Sequence, residues 1–360
     1  MQLALAVALM LLTTTSELTR AAASPPALEV MLRDLPVLDW CGEKAPMQEP
    51  EVRERFEKAL LLSVGNRAQV LLWLKRSRRY FPVIEMMLAA QQMPDDLKYV
   101  AVAESALRPH AGSPKGALGF WQFMAYTGRK YGLTIDMHID QRRNIFTSTA
   151  AAMRYLQDLH AQFGSWTLAA AAYNMGEEGL KTEILMQKTR DYYRLYLPLE
   201  TQQFVLRLLA IKLIMTAPER FGFQLRDDEY YPPLSYTRVT VELPQETPIQ
   251  LLAQAAQTTF KTIKDLNPEL RGYYLAAGTH TLLLPGSETT GFEAHLKTLT
   301  AHRQSEPHKR IYVVRAGDNL SAIAERFNVP LAALLIWNRL DPQQPIHAGK
   351  RLIIYSTDAR

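Results

Sequence analysis

Glu104 is the residue whose placement asks for a chemical explanation. In "DLKYVAVAESAL" the residues Leu97, Val100, Ala101 and Glu104 recur at i, i+3, i+4 and i+7, so they share one helix face that is otherwise apolar. The pattern predicts a carboxylate on a buried stripe in the middle of a helix. Burial disfavours the charged form and raises a carboxyl pKa toward neutrality. An acid that keeps its proton near neutral pH can donate it to a glycosidic oxygen. A structural Glu, paired with a buried Arg or capping a helix, fits the same spacing. Metal chemistry is unsupported, because Cys41 and the eight histidines show no ligand spacing; neither a metal nor a cofactor is expected. As the single cysteine, Cys41 cannot close an internal disulfide and reads as a structural thiol.

The elements that must position Glu104 are helical. "EVRERFEKALLL", "NRAQVLLWLKRSRRYFPVIEMMLAAQQ" and "NIFTSTAAAMRYLQDLHAQF" carry apolar residues at spacings of three and four. Pro94 suits a first helical turn, and Asp95 and Asp96 complement its positive end. Pro82, Pro109, Pro114, Gly112, Gly116 and Gly119 interrupt the pattern and predict short connections. Composition is that of a folded protein, 48% hydrophobic and 21% charged over 360 residues, and the net charge of +5 mildly favours an acidic partner. The basic run Lys75 to Arg79 lacks aromatic interleaving and reads as a solvated helix face, so nucleic acid is not an expected partner. At the N-terminus, the apolar run Leu3 to Leu12 is short for a membrane span and resembles the core of an export signal, with Ala21 to Ala23 as a small-residue cleavage site. No Lys or Arg precedes it. Residues 1–23 are therefore expected to be signal-like and the chain exported, to the periplasm or cell envelope; membrane or envelope association and a monomeric state are separate expectations.

After Phe221 the texture changes to "RDDEYYPPLSYTRVTVELPQ", a linker leading into a strand, with a domain boundary near Pro232. Beyond it lies an internal repeat at an offset of 71, which aligns Asn267 with Asn338, Gly278 with Gly349, Ile263 with Leu334 and Leu282 with Ile353 without a gap. Each copy reads as strand, two short helices, strand. Residues 286–310 between them read as a polar, partly helical tether. In the second copy Asp318 can turn the chain, Asn319 can cap the next helix, and Ile323, Ala324, Leu334 and Leu335 can bury against one another.

Two resemblances follow from these residues. The run Val314, Gly317, Asp318, Leu320, Ile323, Ala324, Asn338, Gly349 and Leu352 resembles the LysM module, a small peptidoglycan- and chitin-binding βααβ domain. The earlier copy has "VELPQETPI" in place of the Gly-Asp turn and is a degenerate module of that type. Glu104 and Ser105, then "GFWQ" at Gly119 to Gln122, then Ala172, Tyr173 and Asn174 stand in the order seen in the lytic transglycosylases. The lead-in "RRYFPVIEMMLAAQQMPDDLKYVAVAES" and the tail "ETQQFVLRLLAIKLIMTAPERFGF" are similar to the membrane-bound murein transglycosylase D branch. The resemblance implies a mainly α chain: a lysozyme-like catalytic domain at 24–232, with its motif core at about 90–200, then small α+β modules at 236–285 and 311–356. It implies peptidoglycan glycan strands as partner and cleavage of the MurNAc-β-1,4-GlcNAc bond without water. Glu104 is then the single general acid and base, aided by the substrate's own N-acetyl group. Ser113, Gln122, Tyr173 and Asn174 map onto family positions that bind the sugar or orient the acid, and Tyr173 is a candidate to hold the Glu104 proton. Ser105 fits either substrate binding or a helix-internal hydroxyl bonded one turn back, and Trp121 fits either core or sugar platform.

Two alternatives stay open. A muramidase of the same fold needs a second carboxylate to activate water, for which Glu177, Glu178, Asp136 and Asp140 are candidates; their plainer readings are a solvated helix start and a turn or N-cap. A non-catalytic wall-binding protein would keep the fold with an idle acid.

Overall fold

The computed structural model describes residues 26–286, 291–301, 309–338, 340–341 and 344–355. The signal-like segment at 1–23 and part of the tether lie outside the described residues. The helices up to the linker are α1 (Leu28–Met31), α2 (Pro50–Gly65), α3 (Arg67–Ala90), α4 (Lys98–Ser105), α5 (Ala125–Lys130), α6 (Ile145–Phe163), α7 (Trp166–Met175), α8 (Glu177–Gln187) and α9 (Leu199–Thr216), with a small hairpin of β1 (Asp39–Trp40) and β2 (Glu43–Lys44). The chain divides into two compact units, one of Met1–Arg76 with Leu159–Tyr231, the other of Ser77–Asp158 with Pro232–Arg360.

In the first unit α2 packs on α9, and α7 packs on both α8 and α9. The reason is legible in α2, where Val52, Phe56, Leu60 and Val64 stand four apart and are all buried, Phe56 and Leu60 completely. Each such side chain contributes about 1.5–3 kcal/mol by leaving water. Helix α3 runs unbroken through Pro82, contrary to the expectation of an interruption there. The proline removes only one hydrogen bond of the helix, that to the Arg78 carbonyl four residues back. The basic run on this helix is less solvated than expected: Lys75 lies over the Tyr231 ring, Arg79 Nε donates to the Pro232 carbonyl at 3.1 Å, and Arg78 is the one residue of the five that is exposed.

In the second unit two βααβ modules follow the linker. The first has β3 (Tyr236–Leu243), β4 (Thr247–Pro248), α10 (Ile249–Ala255), α11 (Phe260–Leu266), β5 (Tyr274–Leu275) and β6 (Gly278–Pro285), with β3 antiparallel to β6 and β4 to β5. Helix α12 (Phe292–Ala301) comes from the expected tether, yet Phe292 and Leu296 are buried in this module's core. The second module has β7 (Lys309–Val313), α13 (Leu320–Arg326), α14 (Leu331–Asn338) and β8 (Arg351–Tyr355), with β7 antiparallel to β8.

Asn267 and Asn338 do the same work in the two modules. Asn267 Nδ2 donates to the Ile263 and Leu283 carbonyls while its Oδ1 accepts from Leu283 N; Asn338 does this with Leu334 and Ile353. Leu283 is thus the counterpart of Ile353, and the ungapped alignment of Leu282 with Ile353 is corrected by one residue in the last strand. Burial is compatible with this register without fixing it: Leu282 and Leu284 are buried like Leu352 and Ile354, but Leu283 is buried too where Ile353 is half-buried. Asn319 Oδ1 accepts from Ala322 N at 2.8 Å, the expected cap. Ile323, Ala324 and Leu334 form the core with Leu352 and Ile354, but Leu335 is only half-buried.

Candidate active site

Glu104 lies in the last turn of α4, not in its middle, and it is half-buried rather than buried. The approach to α4 also differs: Asp95–Leu97 form a 3-10 turn, and α4 itself starts at Lys98. Lys98 is buried and held by Glu85 at 2.6 Å and Asp95 at 2.5 Å. The helix stops because Ala106 and Leu107 take left-handed backbone angles, φ 54° and 58°. Two consecutive non-glycine residues in that region hold about 1–3 kcal/mol of strain each. Ser105 fixes this exit. Its buried hydroxyl donates to the Ala101 carbonyl at 3.0 Å and accepts from Arg108 N at 3.2 Å, while its carbonyl accepts from Arg108 Nε at 3.0 Å.

The segment 111–123 that follows is a tight knot of backbone bonds. Ser113 N donates to the Ala117 carbonyl and Ala117 N to Ser113 Oγ, Gly119 N to the Ala111 carbonyl at 2.8 Å, and Leu118 N to the Phe123 carbonyl at 3.1 Å. Gln122 sits at φ 48°, and its Nε2 donates to the Ala111 and Gly119 carbonyls, both at 2.9 Å. Two carbonyl neighbours fix which end of the amide is NH2. The amide is therefore pinned by its donors, and its oxygen faces away from them as an acceptor. Trp121 is completely buried with Nε1 donating to Thr149 Oγ1 at 3.0 Å, so it is core and not a sugar platform.

A buried ion pair supports this knot. Asp140 caps the 3-10 turn Gln141–Arg143, as expected of a turn or N-cap, and it also accepts from Arg142 Nε at 2.9 Å and Nη2 at 2.8 Å. Arg142 Nη1 reaches on to the Gly116 and Phe123 carbonyls at 2.9 and 3.1 Å. Burial pushes the Asp140 carboxyl up, but the Arg142 bonds and charge hold it below its ordinary value. A β-carbon on Gly119, at φ 85°, would sit 1.8 Å from the Arg142 carbonyl oxygen, which is why a glycine stands there.

Tyr173 and Asn174 belong to the other unit, on half-buried positions of α7. Asn174 Oδ1 accepts from Thr201 Oγ1 at 2.9 Å. The start of α7 is held by a residue that the motifs did not reveal. The Glu43 carboxylate accepts from Trp166 N at 2.6 Å, Thr167 N at 3.0 Å, Ser165 Oγ at 2.7 Å and Thr167 Oγ1 at 2.5 Å. Burial raises its pKa, but these bonds outweigh burial and the carboxyl titrates below its ordinary value. The acid at a helix N-terminus satisfies orphan amides and meets the dipole. No local signal could have found it, because Glu43 lies 123 positions before Trp166.

Of the remaining acids, Asp136 Oδ1 accepts from His138 N and Ile139 N, both at 2.7 Å, and so closes a turn. Glu177 and Glu178 open α8, and Glu178 pairs with Lys181. A cleft of about 530 Å³ lies between the 134–147 segment and β6, and no residue from Glu104 to Gln122 lines it. Among the described residues no group of His, Cys, Asp or Glu could hold a metal ion.

Comparison with known proteins supplies the family. The Transglycosylase SLT domain model matches residues 81–195 and the LysM domain model residues 312–354. Membrane-bound lytic murein transglycosylase D of Escherichia coli (strain K12) is 31% identical over 320 residues, 84% of this chain and 69% of that protein, and its counterpart in Escherichia coli O6:H1 gives the same figures. Among solved structures, the 70 kDa soluble lytic transglycosylase of Escherichia coli aligns at TM-score 0.35 and 21% identity, covering 49% of this chain and 32% of that one. By its identity to the murein transglycosylase and the extent of that match, this chain belongs to the lytic transglycosylases of the membrane-bound murein transglycosylase D type.

Proposed function

We propose that the chain cleaves the β-1,4 bond between N-acetylmuramic acid and N-acetylglucosamine in peptidoglycan without water, releasing 1,6-anhydro products. Glu104 donates its proton to the leaving oxygen as the bond breaks. The substrate's acetamido oxygen attacks the anomeric carbon and forms an oxazolinium-type ring. Glu104, now a carboxylate, removes the proton from the C6 hydroxyl of the same sugar. That oxygen displaces the acetamido oxygen and closes the anhydro ring, so one carboxylate serves both steps. Gln122 offers its amide oxygen to a substrate N–H or O–H, and Ser113 keeps a hydroxyl proton to donate. Ser105 sets the helix exit beside the acid. By their match to the family motif, Tyr173 and Asn174 are assigned to binding the acetamido sugar. The module at 311–356 retains the chain on glycan strands and thereby in the cell envelope.

The observation that favours this chemistry over hydrolysis is the engagement of Asp140, whose two oxygens are committed to Arg142 with the side chain 3% exposed. A general base for water needs a carboxylate that can reach water and the sugar face. The test is digestion of purified peptidoglycan followed by mass spectrometry of the muropeptides. Anhydro-muramic ends from wild type, lost in Glu104→Gln, are the expected result. Reducing muramic ends would replace the proposal with a muramidase, and turnover unchanged in Glu104→Gln would remove Glu104 from its role.

A further inference from the structure

The first βααβ module is bonded to the catalytic half of its own unit through the segment 136–144. Asp140 N donates to the Glu269 carbonyl at 2.9 Å, Arg271 N to the His138 carbonyl at 2.7 Å, and Arg271 Nη1 to the Asp136 carbonyl at 2.7 Å. Asn144 Nδ2 donates to Glu269 Oε1 at 2.7 Å, and Ile139 packs against the module's apolar core. The Arg238 guanidinium lies 4.3 Å over the Phe146 ring. The other side of the same segment carries the Arg142 bonds to the Gly116 and Phe123 carbonyls and the close approach to Gly119.

The turns of this module are occupied as well. Glu246, in the turn that replaces Gly317 and Asp318 of the second copy, lies 3.7 Å from His138 Nε2, and the Tyr274 carbonyl lies 3.3 Å from His138 Nδ1. The LysM family model matches the second copy at 312–354.

From this geometry we propose that the module at 236–285 is a fixed buttress for the 111–123 loop, with Asn144 and Glu269 as positioning residues, and is not a freely tethered glycan reader. The segment 136–144 is a strut with the module on one side and the Gln122 loop on the other. Misplacing an active-site group by about 1 Å costs on the order of 10²-fold in rate, so support of this kind has kinetic weight. The kinetic part rests on the function proposed above; the mechanical part does not.

The test uses the full chain with Asn144→Ala, alone and combined with Arg271→Ala. Hydrogen exchange measured by mass spectrometry should accelerate about tenfold or more in peptides covering 111–123, while peptides from α9 keep wild-type protection. Turnover of a soluble glycan fragment should lose about tenfold in kcat with KM within about twofold. Glu269→Gln keeps an oxygen for Asn144 and should retain kcat, whereas Glu269→Ala should lose it. Unchanged protection of 111–123 in both variants overturns the proposal. So does binding of N-acetylglucosamine oligomers to the 244–247 and 271–275 turns, read from amide chemical shifts. If the double variant unfolds, Asn144→Ala alone is judged by the same exchange criterion. Because exchange is read without turnover, absence of wild-type activity would count against the proposed function and leave the buttress to its own result.

Discussion

Glu269→Gln should change the pH dependence of stability by an amount that can be worked out. Glu269 is 5% exposed, and burial pushes its pKa from 4.5 to about 7, against the opposing effects of its own backbone amide, Asn144 and the Lys264 charge. Oε1 accepts from Asn144, and Oε2 has no hydrogen-bond partner. The folded-state pKa is raised, so the stability associated with the protonated acid is fully present below about pH 4.5 and is lost as pH rises through about 7. At 1.36 kcal/mol per pKa unit the loss is about 3 kcal/mol. The amide in Glu269→Gln never ionises, so it escapes this loss, although its NH2 lacks an acceptor and costs about 1–3 kcal/mol at every pH. The quantity to read is therefore the difference between variant and wild type at two pH values. Between pH 4.5 and 8 it should move by about 3 kcal/mol in favour of the variant, or roughly 6–12 °C in Tm for a unit of this size. Asp140 and Glu43 titrate in both proteins and cancel in the difference. Parallel melting profiles across this range would refute the assignment of a buried, proton-holding acid at Glu269.

Glu104→Gln should lower turnover by about 10²–10⁴-fold with little change in Tm, read by muropeptide release and by thermal denaturation on the same sample. Gly119→Ala should fold poorly or lose about 2 kcal/mol or more, because its β-carbon meets the Arg142 carbonyl at 1.8 Å; denaturant midpoints give the number. Arg142→Ala should cost about 3–5 kcal/mol by leaving Asp140 charged and unpaired, and adding Asp140→Ala should recover part of that loss in a double-mutant cycle. Glu43→Gln should destabilise the start of α7 by about 1–2 kcal/mol at pH 7. Since the Glu43 pKa is lowered in the folded state, that difference should shrink as pH falls from about 4.5 through the folded value, when wild type loses the same charge.

The sequence shows the helices, the repeat and the order of the motif segments because these depend on local periodicity. Its errors have physical causes. Glu104 reads as mid-helix because Leu107 extends the apolar spacing and is buried, but the chain has already left α4 through left-handed Ala106, with neither Gly nor Asn to announce the end. The one-residue slip in the second strand of the repeat is hidden by the run Leu282, Leu283, Leu284, in which hydrophobicity cannot mark register; only the Asn267 bonds to Leu283 do.

What the sequence hides most completely is support across distance. Asp140 and Arg142 lie two residues apart at the start of a 3-10 turn, where no periodicity marks them as a pair, and Arg142 reaches on to the Gly116 and Phe123 carbonyls. Glu43 reaches Ser165 to Thr167, and Asn144 reaches Glu269 across 125 positions. These polar bonds act where periodicity carries no information, and each holds a motif-bearing segment from behind. Substitutions at Asp140, Arg142, Glu43 or Asn144 should therefore alter turnover through geometry, with Glu104 chemically intact. The signature that separates them from Glu104 is a loss of activity that tracks loss of amide protection in 111–123 or in α7.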